Sequence, residues 1–275
     1  MGVLNATPDS FWEESRVSGV DAALSAAGRM VGAGADLLDV GGESTRPGAD
    51  PVPPAEERLR VVPVVEALAR EFPDVVVSVD TVKADTARAA LDAGAAVIND
   101  VSALRLDPGI ADVVRDAHAG LILMHSRGTV AEMASYARAR YGPDPMGEVI
   151  AELRASVRIA RARGVPEEAI ALDPGLGFAK TPAQSMAALR GLERLADLGH
   201  PVAVGPSRKR FVGELAGGVP AGDRLPGTLA ACVVAFLAGA RIFRVHDVGA
   251  ARHALDVAAA FADAAPPTDE KEHGA

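Results

Sequence analysis

The chain has 275 residues, 49% of them hydrophobic, enough to bury one large core at a length that single-domain β/α barrels commonly reach. Its formal net charge of −9 argues against nucleic acid or an anionic membrane as the main partner, and an acidic shell around a few inward basic groups suits a small anionic substrate. The single cysteine, Cys232, excludes an internal disulfide, and the apolar run around it makes it a buried structural thiol.

In chain order, eight short apolar runs are expected as strands, over residues 2–5, 37–40, 75–79, 96–98, 121–124, 169–172, 201–204 and 241–245. Alanine-rich amphipathic segments at helical period lie between them, among them 21–32, 55–71, 85–93 and 145–163. Alternation of apolar strands with helices implies a parallel sheet covered by helices. Eight units favour closure, and no G-x-G-x-x-G turn follows an early strand as an open dinucleotide-binding sheet would require. The expected fold is therefore α/β, a single (β/α)8 TIM barrel over residues 1–263, with its active site at the C-terminal ends of the strands. Residues 264–275 have lost periodicity and are expected to form a disordered tail. Strand one, with Met1 so near its exit, is expected to be unusually short or to continue upstream. The longest apolar run ends by Arg241, too short to span a bilayer, and no leader precedes strand one; a cytoplasmic protein is expected.

The strand exits carry Asn5, then a Gly-Gly turn with Glu43, Ser44, Thr45 and Arg46, then Asp80, Asn99-Asp100, His125, Asp173, Ser207-Arg208-Lys209, and Arg244 with His246. Glycine-loosened polar loops at strand ends are built to approach a ligand. Asp80, Asn99 and Asp173 offer paired donors and acceptors suited to a flat heterocycle. Arg244, His246 and Lys209, with the Thr45 hydroxyl and backbone N–H groups, suit phosphate oxygens. A heterocycle and a phosphate together suggest an activated ring compound with a pyrophosphate leaving group. Structural alternatives stand beside these readings. Asp39 is expected to fix the Gly-Gly turn through backbone hydrogen bonds, and Asp100 to cap the next helix, leaving Asn99 for substrate. His125 either lines the pocket or satisfies a buried carbonyl; Asp173 before Pro174 can serve as a turn former, and Ser207 as an N-cap.

The ordered set of motifs resembles the dihydropteroate synthase family, the pterin-binding barrels of folate biosynthesis. It comprises Met1-Gly-Val-Leu-Asn-Ala-Thr-Pro-Asp-Ser-Phe11, Asp39-Val-Gly-Gly-Glu-Ser-Thr-Arg-Pro-Gly48, Ser78-Val-Asp-Thr81, Ile98-Asn-Asp-Val101, Leu172-Asp-Pro-Gly-Leu-Gly-Phe178, Gly205-Pro-Ser-Arg-Lys-Arg-Phe211 and Arg244-Val-His-Asp247. The resemblance implies a transferase that condenses 6-hydroxymethyl-7,8-dihydropterin pyrophosphate with 4-aminobenzoate, giving 7,8-dihydropteroate and pyrophosphate. It implies that Asp80, Asn99, Asp173 and Lys209 hold the pterin, and that Asn5, Arg244 and His246 bind the pyrophosphate, with Asn5 also near a Mg2+. Thr45 and Arg46 belong to a second mobile loop, Ser207 to the region receiving the aminobenzoate carboxylate, and Phe178 to a wall of both pockets. Asp173, Lys209, Arg244 and His246 are the expected catalytic set. The resemblance further implies a sulfonamide target and a homodimer formed through outer helices. Trp12, Glu13 and Glu14 make the first loop bulkier than the family's usual Ser-Asp-Gly-Gly run. Two other readings share the barrel: a methyltransferase acting between a methylated folate and a corrinoid protein, and a non-catalytic pterin binder. The intact Glu43-Ser-Thr-Arg46 loop and the anion set, Ser207-Arg208-Lys209 with Arg244 and His246, favour the synthase.

Overall fold

A computed structural model of the chain describes residues 1–6, 19–45 and 50–263. The first loop with Trp12, Glu13 and Glu14, the segment holding Arg46, and the expected tail from 264 lie outside them. Eight strands alternate with helices: β1 (Gly2–Asn5), β2 (Leu37–Gly41), β3 (Val76–Asp80), β4 (Val97–Asp100), β5 (Gly120–Met124), β6 (Ile170–Asp173), β7 (Ala203–Val204) and β8 (Ile242–Phe243). The helices are α1 (Val20–Gly32), α2 (Pro54–Glu71), α3 (Ala84–Asp92), α4 (Gly109–Asp116), α5 (Val130–Met133), α6 (Pro145–Ala162), α7 (Pro182–Arg190), α8 (Leu192–Ala196), α9 (Arg210–Leu215), α10 (Leu225–Leu237) and α11 (Val248–Asp263). Among the described residues no helix is long and apolar enough to cross a membrane.

Local signals fix several boundaries. Pro54 and Pro145 stand in the first turns of α2 and α6, where a missing N–H costs nothing. Asp144 caps α6 by accepting from the Gly147 N–H at 3.0 Å. Thr181 and Gln184 form a reciprocal capping box that starts α7.

β1 to β6 pair in sequence order, every pair parallel, and β7 pairs with β8. The two sheets join at both seams: Leu172 bridges to Val202, and Gly2 to Val245. The Val3 N–H donates to Val245 O at 3.1 Å and the Val245 N–H to Met1 O at 3.0 Å, closing the barrel. Strand one is therefore not unusually short; its four residues equal β4 and β6 and carry one side of the closure.

Side-chain alternation gives the strands two faces. Leu38, Val40, Ile98, Leu121, Leu123 and Leu172 point outward into the main core beneath the helices. Inside, Met1, Ile122, Ala171 and Ala203 pack with Leu37, Val97 and Ile242 as an apolar plug. Two residues further along four of the same strands stand Asp39, Asn99, Asp173 and Arg244. The strand period of two thus lifts polar groups directly above the plug, at the carboxyl end of the barrel.

Candidate active site

The floor of the site is an ion pair across the barrel. Arg244 Nε donates to Asp39 Oδ2 at 2.6 Å and its Nη2 to Asp80 Oδ2 at 3.1 Å, while Asn99 Nδ2 donates to Asp39 Oδ2 at 3.3 Å. Asp39 is completely buried. This corrects the expectation that Asp39 fixes the Gly-Gly turn: its carboxylate faces inward as the counter-ion of Arg244. Burial pushes the Asp80 carboxyl up to about 7, opposed by Arg244 and reinforced by Asp39. Burial opposes the charge on Arg244, but Asp39 and Asp80 outweigh it and raise its pKa.

The Gly-Gly turn is held by other groups. A Cβ on Gly42 would lie 2.7 Å from Val61 and 2.9 Å from Glu57, so the turn packs directly on α2. Glu43 accepts from the Val52 N–H at 2.7 Å, tying the two ends of the loop together. Its other oxygen accepts from Lys83 Nζ at 2.8 Å, and Lys83 donates equally to the buried Glu57 at 2.8 Å, which also accepts from Thr86 Oγ1 at 3.0 Å. Half-buried Thr45 sits two residues beyond this clasp.

Opposite the floor, Asp173 accepts from the Gly175 N–H at 2.7 Å through Oδ1. The turn-former reading is therefore correct for one oxygen, and the carboxylate is buried in the bowl as well. Burial raises its pKa, with Lys209 pulling the other way. Lys209 donates to Leu176 O at 2.6 Å and its ammonium lies 4.0 Å from the Phe178 ring centroid. Burial pushes Lys209 down to about 7, against the opposing charge of Asp173. Phe178 packs with Val82, Val101, Met124 and Met133, an apolar wall above the strand ends.

Ser207 is not an N-cap. Its hydroxyl accepts from the His246 backbone N–H at 3.2 Å and lies 2.9 Å from His246 Nδ1. The two contacts hold both the backbone and the ring of His246 against the Ser207 loop. Burial, reinforced by the charge of Arg244, lowers His246 to about 4. Arg208 adopts a left-handed backbone, φ 53°, and makes a two-point pair with Asp247 at 2.6 and 2.8 Å. It braces the loop between Ser207 and Lys209, and so departs from the expected anion set. Asp100 holds a turn, accepting from the N–H groups of Ser102 and Leu104, where a helix cap was expected. The His125 ring satisfies no carbonyl; it joins Glu152 at 3.0 Å to Lys180 at 2.9 Å.

Residues 1–246 match the family model for pterin binding enzymes. A dihydropteroate synthase of Synechocystis sp. is 44% identical over 261 residues, covering 95% of this chain and 89% of that relative. A solved dihydropteroate synthase of Xanthomonas albilineans with 4-aminobenzoic acid matches with a TM-score of 0.87 at 42% identity, over 96% of this chain and 93% of that one. One from Yersinia pestis, solved with a sulfonamide drug complex, matches with a TM-score of 0.88 at 40% identity, over 95% and 92% of the two chains. The chain belongs to the dihydropteroate synthase family of pterin-binding enzymes.

In this family member the barrel brings Asp80, Asn99, Asp173, Phe178, Ser207, Lys209, Arg244 and His246 to one end, with Asn5 and Thr45 on the adjoining exits of β1 and β2. Sequence reasoning missed Asp39, Lys83 and Lys180. For Asp39 a signal existed: a carboxylate alone inside the apolar run Leu37-Leu38-Asp39-Val40. Lys83 carried none, because its partners lie on other elements, and Lys180 carried none, because two of its partners are backbone carbonyls and the third, His125, is 55 residues away.

Removing Lys83 would strand the buried Glu57. Lys83→Met is expected to destabilise the protein by about 3–5 kcal/mol, measured by urea unfolding. A loss under about 1 kcal/mol, the ordinary worth of an exposed pair, would contradict a buried clasp.

Proposed function

We propose that the chain is a dihydropteroate synthase in action as well as family, joining 6-hydroxymethyl-7,8-dihydropterin pyrophosphate to 4-aminobenzoate. One observation carries the reading: the buried Asn99 and Asp173 and the half-buried Asp80 share one bowl with Arg244, Lys209 and neutral His246. The carbon–oxygen bond between the pterin methylene and pyrophosphate breaks, and the electron pair leaves with the pyrophosphate. The aminobenzoate nitrogen attacks the methylene carbon and releases one proton.

Such a loose transition state depends on stabilising the departing anion. Arg244 and His246 take the pyrophosphate oxygens, joined by Thr45 and Arg46 from the second loop. Asp80, Asn99, Asp173 and Lys209 hold the pterin, and the Asp173 charge offsets the cation that develops on the ring. Phe178 walls both rings, and the Ser207 region receives the aminobenzoate carboxylate.

Mg2+ fits this site as an ion brought mainly by its substrate. Among the described residues no group of three His, Cys, Asp or Glu side chains could cage a metal. Asn5 offers a hard amide oxygen at the β1 exit, beside Gly41 and Asp80. Mg2+ keeps several waters and needs few protein ligands, so Asn5 would hold it and the ion would neutralise leaving-group charge. The same reading places the enzyme in the cytoplasm as a homodimer. Support for the dimer comes from Val234 and Leu237 on α10 and Val257 and Phe261 on α11, all exposed on outer helices.

A magnesium-dependent assay should yield dihydropteroate only when both substrates are present; absence of product overturns the reading. Asp173→Asn keeps the turn acceptor but loses the charge, and should weaken pterin binding about tenfold or more; unchanged affinity removes Asp173 from the site. Arg244→Ala should impair binding of the pyrophosphorylated pterin more than of the plain hydroxymethyl pterin, and equal losses contradict a pyrophosphate role. In light scattering, wild type should have twice the chain mass and the Leu237→Glu/Phe261→Glu variant the mass of one chain. A monomeric wild type, or a dimeric variant, rejects that interface.

A further inference from the structure

Lys180 is among the largest side chains with no solvent exposure at all, and none of the roles above uses it. It follows the turn from Pro174 to Ala179 that links β6 to α7, the turn whose two ends present Asp173 and Phe178. Its ammonium has three hydrogen-bond partners: His125 Nδ1 at 2.9 Å, Gly175 O at 3.2 Å and Phe178 O at 3.2 Å.

The protonation of this cluster can be worked out from its outer edge inward. Glu152 resists the upward push of partial burial, and hydrogen bonds from His125 and Arg127 hold it at about 2. An ionised Glu152 requires His125 to donate from Nε2. Burial, and then the Lys180 charge, keep His125 at about 4, so the ring carries one proton only. Its Nδ1 is consequently an acceptor facing Lys180. Three acceptors around one nitrogen satisfy the three N–H bonds of an ammonium and would leave a neutral amine one short. The geometry requires the charged form, although burial lowers Lys180 to about 7 with the Asp173 charge as the main opposing influence.

The turn packs tightly and requires glycine at its start. Gly175 has φ +67°, and a Cβ there would lie 1.9 Å from His125 O. The carbonyls of Gly175 and Phe178 point to Lys180, while that of Leu176 points to Lys209. The turn is therefore clasped between two lysines, one from behind and one from within the site. Lys209 is the one assigned to the pterin, so its bond to Leu176 is exchangeable on binding. The bonds from Lys180 are not.

We propose that Lys180 is a positioning residue for the substrates, its buried ammonium fixing the Asp173–Phe178 turn through two carbonyls and supplying a counter-charge behind Asp173. The His125–Glu152 pair orients that ammonium and extends the support to α6. This inference rests on the synthase reading. Binding of pterin covers Asp173 and removes water from it, and a fixed positive charge behind the carboxylate then keeps it ionised without competing for the ligand's own donors.

The test is steady-state kinetics on the full chain, with wild type, Lys180→Met and Glu152→Ala assayed together. Lys180→Met should raise the KM for the pterin pyrophosphate roughly tenfold or more, together with a smaller rise in the KM for 4-aminobenzoate through Phe178. Glu152 is partly exposed at the edge of the cluster, so Glu152→Ala should fold and raise the pterin KM in the same direction by a smaller factor, about two- to fourfold. A purely structural lysine would lower the amount of active enzyme and leave both KM values at the wild-type level. Unchanged KM values in Glu152→Ala, or in folded Lys180→Met, overturn the inference. Should Lys180→Met not fold, Glu152→Ala decides it. Wild-type protein without synthase activity would instead overturn the reading on which the inference depends, and the two failures are thereby separate.

Discussion

A guanidinium placed inside a barrel must be compensated, and the arrangement of this site follows from how Arg244 is. An unpaired charge below the mouth of the barrel would cost several kcal/mol, so carboxylates must face it from neighbouring strands. Asp39 and Asp80 do so from β2 and β3, and Asn99 joins Asp39 from β4. The result is a polar layer with its own internal pairing, resting on an apolar plug one strand period below. In the proposed reaction, a phosphate group entering that layer would find a cation already positioned and give Arg244 a further anionic partner.

The remaining functional groups are held by devices outside the layer. The second loop is tied at its base by the Glu43–Lys83–Glu57 clasp, which runs from β2 across α2 to the start of α3. The Asp173–Phe178 turn is clasped between Lys180 and Lys209. Ser207 holds the ring and backbone of His246, and Arg208 with Asp247 fixes the loop that carries Ser207. Each device joins a strand exit to a neighbouring exit or helix, so the rigidity of the barrel is transmitted to loops that do not themselves belong to it. The division suits the chemistry. Groups that bind must be free to exchange partners, while the groups that position them must not.

Much of this was legible in the sequence because it depends on short-range periodicity. Apolar runs of three to five residues marked every strand, and a polar residue at the end of most of them marked the mouth of the barrel, since the same alternation that builds the plug also ends it. The expected helices over 21–32, 55–71, 85–93 and 145–163 agree with α1, α2, α3 and α6 to within one residue at each end. Asp39 was misassigned for a physical reason: its position beside Gly41-Gly42 suggested local backbone bonding, while its partner Arg244 lies 205 residues away. Lys83 was invisible in the same way, its acceptors coming from other elements, and Lys180 because its two local acceptors are backbone carbonyls that no side-chain pattern marks. Arg208 looked like part of an anion site because three polar residues in a row share one exit, and only the left-handed backbone at its centre turns it away from its neighbours.

The most direct measurement is a double-mutant cycle between Asp39 and Arg244, using Asp39→Asn, Arg244→Gln and the double variant in urea unfolding. If the cross-barrel pair organises the site, the two single changes should be strongly non-additive, with a coupling energy of roughly 1–3 kcal/mol. Additivity within about 0.5 kcal/mol would contradict the account, because it would mean that Arg244 is positioned by something other than the carboxylate facing it.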